Sequence, residues 1–264
     1  IANYILESYD KAAFMTASRL GKMVDVSEST VVRFAVELGF DGYPSMQKTL
    51  QELVRNKLTS VQRIEVTNDR LGNQDVVSTV LQGDIDSIRM TSEALSREEM
   101  EASVQAILKA RTIYIVGVRS SAALAAFLNF YLRNMFENVR LVGSTSTSEM
   151  FEQLLRVGPE DVVIGFSLPR YSSRTVKVMQ YAHDTGAVCI AVTDKADAPA
   201  GKVADHVLVA KSDMVSVVDS LVAPMSVVNA LVVSLAQEQQ SQMAKTYEDL
   251  ETLWDEYDVY ERVE

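Results

Sequence analysis

From Arg111 onward the apolar positions fall into five short runs rich in β-branched residues: "TIYIVG", "NVRLVG", "DVVIGFS", "AVCIAVT" and "HVLVA". Patterns of helical period separate most of them, and near-continuous apolar runs of this kind belong to strands buried on both faces. Strands alternating with helices predict a parallel sheet sandwiched between helical layers. The expected fold is therefore α/β, a three-layer αβα domain with a five-stranded parallel sheet. An all-α region precedes it.

In that N-terminal region the period is helical throughout. "TASRLGKMV" has small and apolar residues at helical spacing. "SESTVVRFAVELGF" starts on Ser27 as N-cap, carries Val31, Phe34, Ala35 and Leu38 as a buried stripe, and ends at Gly39. After the turn "DGYPS", a further helix "SMQKTLQELVRNKL" follows. Helix, short turn and second helix with a polar first turn is the outline of a helix-turn-helix. Three segments result: 1–58, a helix-turn-helix domain with a truncated N-terminus; 59–104, a helical linker and dimerisation segment; and 105–264, the sheet domain with C-terminal helices. In the linker, Val77, Val80, Leu81, Ile85 and Ile88 share one helical face. That face suits either a partner chain or the chain's own domain.

Composition narrows the function classes. A formal charge of −11 over 264 residues excludes coating of nucleic acid or anionic membrane by bulk electrostatics. Residues 1–65 are neutral by contrast, with eight Lys or Arg and eight Asp or Glu. The single Cys189, inside an apolar strand, reads as a buried thiol, and one cysteine rules out an internal disulfide. The apolar stretch from Ser220 to Ala236 contains Pro224 and Asn229 and reads as a buried helix rather than a membrane span. The chain begins without Met and shows no secretory pattern. A cytoplasmic protein without cofactor or metal is expected.

Candidate chemistry lies at two strand ends, where open sheets hold ligands. After the third strand comes "SLPRYSSRT", with Ser167, Arg170, Ser172, Ser173, Arg174 and Thr175; after the first comes "GVRSS", with Arg119, Ser120 and Ser121. Hydroxyls, guanidiniums and the open amides of a first helical turn together suit a phosphate. The hydroxyls also suit ordinary helix capping.

These residues resemble a known family. "TASRLGKMVDVSESTVVRFAVELGFDGYPSMQKTLQE" resembles the helix-turn-helix of the MurR/RpiR transcriptional regulators, and residues from about 105 to 215 resemble their sugar isomerase (SIS) domain. The resemblance implies a dimer or homotetramer that binds double-stranded operator DNA and responds to a phosphosugar in the SIS domain. It differs in detail. The family's first loop commonly reads G-x-G-S-S, and here Arg119 stands where the second glycine is usual. The second loop commonly reads S-x-S-G-x-T, and here two inserted residues bring in Pro169, Arg170 and Tyr171, with Ser173 in place of glycine.

The expected effector residues are Arg119, Ser120, Ser121, Ser167, Arg170, Ser172, Ser173 and Thr175. On the DNA side, Ser27, Ser29, Thr30 and Arg33 lie early on the second helix, with Tyr43, Ser45, Gln47 and Lys48 placed to touch the phosphate backbone. A sugar-phosphate isomerase is the rival reading, since aldose–ketose exchange needs a general base. Glu149 is its best candidate, although Glu149 also fits a capping box with Ser146. His183 and His206 lie away from the strands' carboxyl ends and read as structural. No catalytic residue is assigned. A third reading is an interaction module that has lost its ligand.

Overall fold

A computed structural model describes residues 1–55, 57–72, 74–144, 146–211 and 218–261. The chain divides into two compact units. One holds residues 1–83 with Val218 and Asp219, and the other holds the remainder. The first unit thus holds the helix-turn-helix segment with the first part of the linker, and Gly83 marks its limit within a helix.

The first unit contains α1 (Ala2–Glu7), α2 (Tyr9–Ala12), α3 (Ala17–Met23), α4 (Glu28–Glu37), α5 (Tyr43–Arg55) and α6 (Ser60–Leu71). Thr16 and Ser27 cap α3 and α4, their hydroxyls accepting from the Arg19 and Thr30 amides. The α3–α4 turn is tight. A Cβ at Gly21 would lie 2.7 Å from the Val26 carbonyl oxygen, so only glycine lets the two helices approach this closely. Leu20, Val31, Ala35, Tyr43 and Met46 form the core. Of the expected α4 stripe, Val31 and Ala35 are fully buried and Phe34 is partly so. Leu38 is 57% exposed, because the helix ends at Glu37 and Gly39 turns the chain away at φ 88°. Helix α6 opens with a reciprocal capping box between Thr59 and Gln62, and Arg63 pairs with Asp219 at 2.6 Å.

Helix α7 (Val76–Ala94) leads into the second unit. There follow α8 (Arg97–Lys109), β1 (Thr112–Gly117), α9 (Ala122–Met135), β2 (Val139–Val142), α10 (Thr147–Gln153), β3 (Asp161–Phe166), α11 (Ser173–Asp184), β4 (Val188–Thr193), β5 (His206–Val209), α12 (Val222–Glu238) and α13 (Gln240–Glu256). All five expected strands form, and they pair in parallel in the order β2-β1-β3-β4-β5. Successive side chains alternate between two cores, as the strand period requires. Ile113, Ile115, Val162, Ile164, Ile190 and Val192 face α8, α9 and α12. Tyr114, Val116, Val163, Cys189 and Ala191 face α10 and α11. The apolar stretch from Ser220 is the buried helix α12, as its interruptions imply. Among the described residues no helix is long and apolar enough to cross a membrane.

At the amino ends of the strands, Arg111 grips the buried Asp161 through two nitrogens, at 3.0 and 2.6 Å. Asp161 also accepts the Gly158 amide at 2.9 Å. This clasp fixes the starts of β1 and β3 in register, Thr112 opposite Asp161 and Gly117 opposite Phe166. On the C-terminal helix Trp254 meets Tyr247 and Tyr260 of its own tail, and Tyr257 is 71% exposed.

Candidate functional site

Strand order 2-1-3-4-5 places a reversal between β1 and β3: from β1 the chain steps outward to β2, then returns across it to β3. Ligands in open α/β sheets settle outside the carboxyl ends of the strands at this point. Because Gly117 and Phe166 are register partners, the β1–α9 and β3–α11 connections leave the sheet side by side. Both hydroxyl-rich loops singled out in the sequence are these connections.

The first connection is a 3-10 turn, Arg119–Ser121, that leads directly into α9. Its tightness needs Gly117, where a Cβ would lie 2.6 Å from the Ser121 carbonyl oxygen. Arg119 and Ser120 are exposed, while Ser121 is buried. In the second connection Ser167 and Thr175 are sealed from solvent, Ser172 is half-buried, and Arg170, Ser173 and Arg174 are exposed. The capping alternative is not realised at either loop. Ser121 and Ser172 occupy the N-cap positions of α9 and α11, yet neither side chain caps its helix. Ser172 therefore offers no side-chain acceptor to the first amides of α11. Ser167 Oγ and Thr175 Oγ1 are buried with no hydrogen-bond partner. A sealed hydroxyl without a partner costs about 1–3 kcal/mol. Two in one connection mark a place built for something other than stability.

The connection is held from the β4 side. The Ser167 amide donates to the Val192 carbonyl at 3.1 Å, and Thr193 Oγ1 donates to the Ser167 carbonyl at 2.6 Å. The Tyr171 hydroxyl donates to Asp194 at 2.9 Å. Asp194, at the carboxyl end of β4, is a residue the sequence reading missed. Its signal was its position after a strand, at the same end as the two loops. Arg170, Tyr171, Arg174 and Asp194 each make further contacts within the chain.

Glu149, the candidate base, follows the edge strand β2. The expected capping box with Ser146 does not form. The Glu149 carboxylate accepts from the Ser144 hydroxyl, and the Ser146 amide donates to Ser144 Oγ at 3.0 Å. Both histidines are engaged elsewhere. His206 meets Glu99 at 3.2 Å, and His183 lies 3.8 Å from Asp205. The Cys189 thiol is buried, and burial pushes its pKa up to about 12, which leaves it a protonated core group.

In the first unit, Ser27, Ser29 and Arg33 on α4, and Ser45 and Lys48 on α5, are exposed; Thr30 is half-exposed. Arg33 and Lys48 make no ion pair among the described residues. Ser27 Oγ is shared between the Thr30 amide, Ser29 Oγ and Thr30 Oγ1. Two expected backbone contacts must be withdrawn. Tyr43 is 4% exposed and its hydroxyl donates to the Met15 carbonyl at 2.7 Å; burial raises its pKa to about 12. Gln47 donates to the same carbonyl at 2.6 Å. Both serve the joint between α2 and α5. The sequence reading also missed Val32 and Val36, exposed on the face of α4 that carries Ser29 and Arg33. Exposed methyl groups beside a guanidinium on such a helix suit the thymine methyl and guanine edge of the major groove.

The two units thus define a class, a helix-turn-helix domain followed by an open α/β domain. Residues 1–57 match the helix-turn-helix domain of the rpiR family, and residues 106–234 match the SIS domain. The chain belongs to the RpiR family of transcriptional regulators. A helix-turn-helix transcriptional regulator of Haemophilus influenzae is 29% identical over 79% of this chain and 73% of its own. The sugar isomerase domain of an RpiR transcription factor from Sphaerobacter thermophilus superposes with a TM-score of 0.64 at 29% identity, over 67% of this chain and 98% of that one. The Vibrio vulnificus NanR protein, solved in complex with ManNAc-6P, shares the fold with a TM-score of 0.62 at 20% identity, over 96% and 91% of the two chains.

Proposed function

We propose that this regulator senses a phosphorylated sugar held between the β1–α9 and β3–α11 connections and thereby alters its hold on operator DNA. The observation that carries the reading is the pair of sealed, partnerless hydroxyls on Ser167 and Thr175. They lie at a connection whose N-cap serine, Ser172, does not cap α11 with its side chain. The phosphate is taken by Ser120, Ser121, Ser167, Ser172, Ser173 and Thr175 with those amides, where the helix start carries partial positive charge. Arg119 and Arg170, on the same two connections, line the effector site. Ser167 and Thr175 are covered in the present arrangement, so the 168–172 segment shifts when ligand enters. That NanR was solved with ManNAc-6P supports a phosphosugar as the ligand class.

Operator reading falls to α4, with Ser27, Ser29, Thr30 and Arg33 toward the bases and Ser45 and Lys48 toward the phosphates. A neutral domain with one cation on its reading helix binds each half-site weakly, so two copies act together, their half-sites about 34 Å apart. The stripe on α7 provides the pairing surface. Val77, Leu81 and Ile85 are each more than half exposed, and Val80 and Ile88 more than a third. The work is that of a cytoplasmic sensor rather than an enzyme, a reading supported by the regulators among its relatives and by a Glu149 carboxylate that accepts from the Ser144 hydroxyl.

A thermal-shift panel of sugar phosphates tests this. A true effector stabilises by RT ln(1 + [L]/Kd) and is recovered unchanged. Failure of every sugar phosphate to shift the melt, or conversion of aldose to ketose, contradicts it.

A further inference from the structure

Among the described residues four non-glycines hold a positive φ: Asp25 at 55°, Arg119 at 57°, Arg170 at 59° and Asp258 at 48°. Aspartate tolerates this region because its short side chain bonds locally. Arginine gains no such relief. Both strained arginines fall on the two connections that leave β1 and β3 side by side. Glycine would adopt the Arg119 geometry without cost, and the related loop pattern has glycine there. Strain of this kind persists where the side chain is used.

Hydroxyls and helix amides already suit one phosphate. Two guanidiniums at the same rim exceed what the monoester of a neutral sugar requires, in a chain whose net charge of −11 repels anions at large. A guanidinium matches one more planar acid group by two parallel N–H···O bonds. Arg119 is exposed and pairs with no carboxylate among the described residues, whereas Arg170 also engages its own chain.

Resting on the phosphosugar reading, we infer that the effector is a sugar phosphate bearing a second acid group, a carboxylate or another phosphate, and that Arg119 recognises that group with Arg170 beside it. Arg119 is then the residue that separates acid-bearing from neutral sugar phosphates.

Titration calorimetry on the full chain tests this with matched pairs: glucose 6-phosphate against 6-phosphogluconate, and fructose 6-phosphate against fructose 1,6-bisphosphate. The acid-bearing member of at least one pair binds about tenfold tighter or more. Which pair responds distinguishes carboxylate from second phosphate. Arg119→Gly, which suits the backbone, brings the ratio toward one, and Arg119→Asn, which also tolerates positive φ, does the same. Arg119→Lys retains part of it. Equal affinity within both pairs overturns the inference and leaves the phosphosugar reading standing. Binding of none of the four overturns the inference, and a melt unmoved by every sugar phosphate of the panel overturns the phosphosugar reading with it. A preference that survives in Arg119→Gly and Arg119→Asn removes Arg119 from the role.

Discussion

Thr175 and Ser167 set the terms at the scale of single residues, because each holds a hydroxyl that the fold seals and leaves unpaired. In Thr175→Val the shape is kept and the hydroxyl removed, so the ligand-free protein loses nothing and gains about 1–3 kcal/mol. The same substitution removes the stabilisation that a sugar phosphate confers. Paired melts with and without ligand read both effects, and a variant that melts early or keeps its ligand shift contradicts the assignment. Tyr43 makes the opposite case. Its phenol belongs to the core, so Tyr43→Phe costs about 1 kcal/mol in a denaturant titration while operator affinity of the folded protein stays unchanged. A fall in affinity without loss of stability would return Tyr43 to the DNA face. Nothing local marked Tyr43 as buried. Its partner is a carbonyl 28 residues away, and a tyrosine opening a helix after a tight turn fits solvent or core equally well. Asp194 escaped notice for a related reason: a lone carboxylate after a strand acquires meaning only when Tyr171 reaches it.

Elements were more legible than their side chains. The inner strands β1, β3 and β4, buried on both faces, cannot alternate polar and apolar residues and stood out as short apolar runs. The edge strands β2 and β5 are less buried but still β-branched, and parallel order followed from the helices between them. The hydroxyl-rich stretches could be placed at strand ends before any pairing was known. That they leave the sheet side by side depends on strand order, which brings β1 beside β3 and sends β2 to the edge. The Glu149–Ser146 capping box failed because Ser144, two residues earlier, took the roles of both donor to the carboxylate and acceptor for the amide. For α4, the exposed Arg33 is its one cation. Arg33→Ala should lower operator affinity by about 1–3 kcal/mol if it meets a guanine edge. If it meets a phosphate, it should instead reduce the salt slope by about one. Fluorescence anisotropy over a salt series separates the two, and no change in either excludes α4 as the reading helix.

For the molecule as a whole, a sensor needs a ligand that distinguishes two arrangements, and its response cannot exceed that difference in affinity. The β3–α11 connection supplies the local difference. Closed, it is pinned to β4 through Thr193 and Tyr171 while two hydroxyls stay unpaired. In the response proposed above, a ligand partners those hydroxyls and moves the connection. The Arg111–Asp161 clasp at the opposite ends of the strands keeps β1 and β3 in register during that change. The most direct test is a crystal structure with a sugar phosphate that stabilises the protein. The account predicts the phosphorus between the Arg119–Ser121 turn and the start of α11, within hydrogen-bond reach of Ser167 or Thr175. A phosphate bound elsewhere, with both hydroxyls still sealed and unpaired, would contradict it.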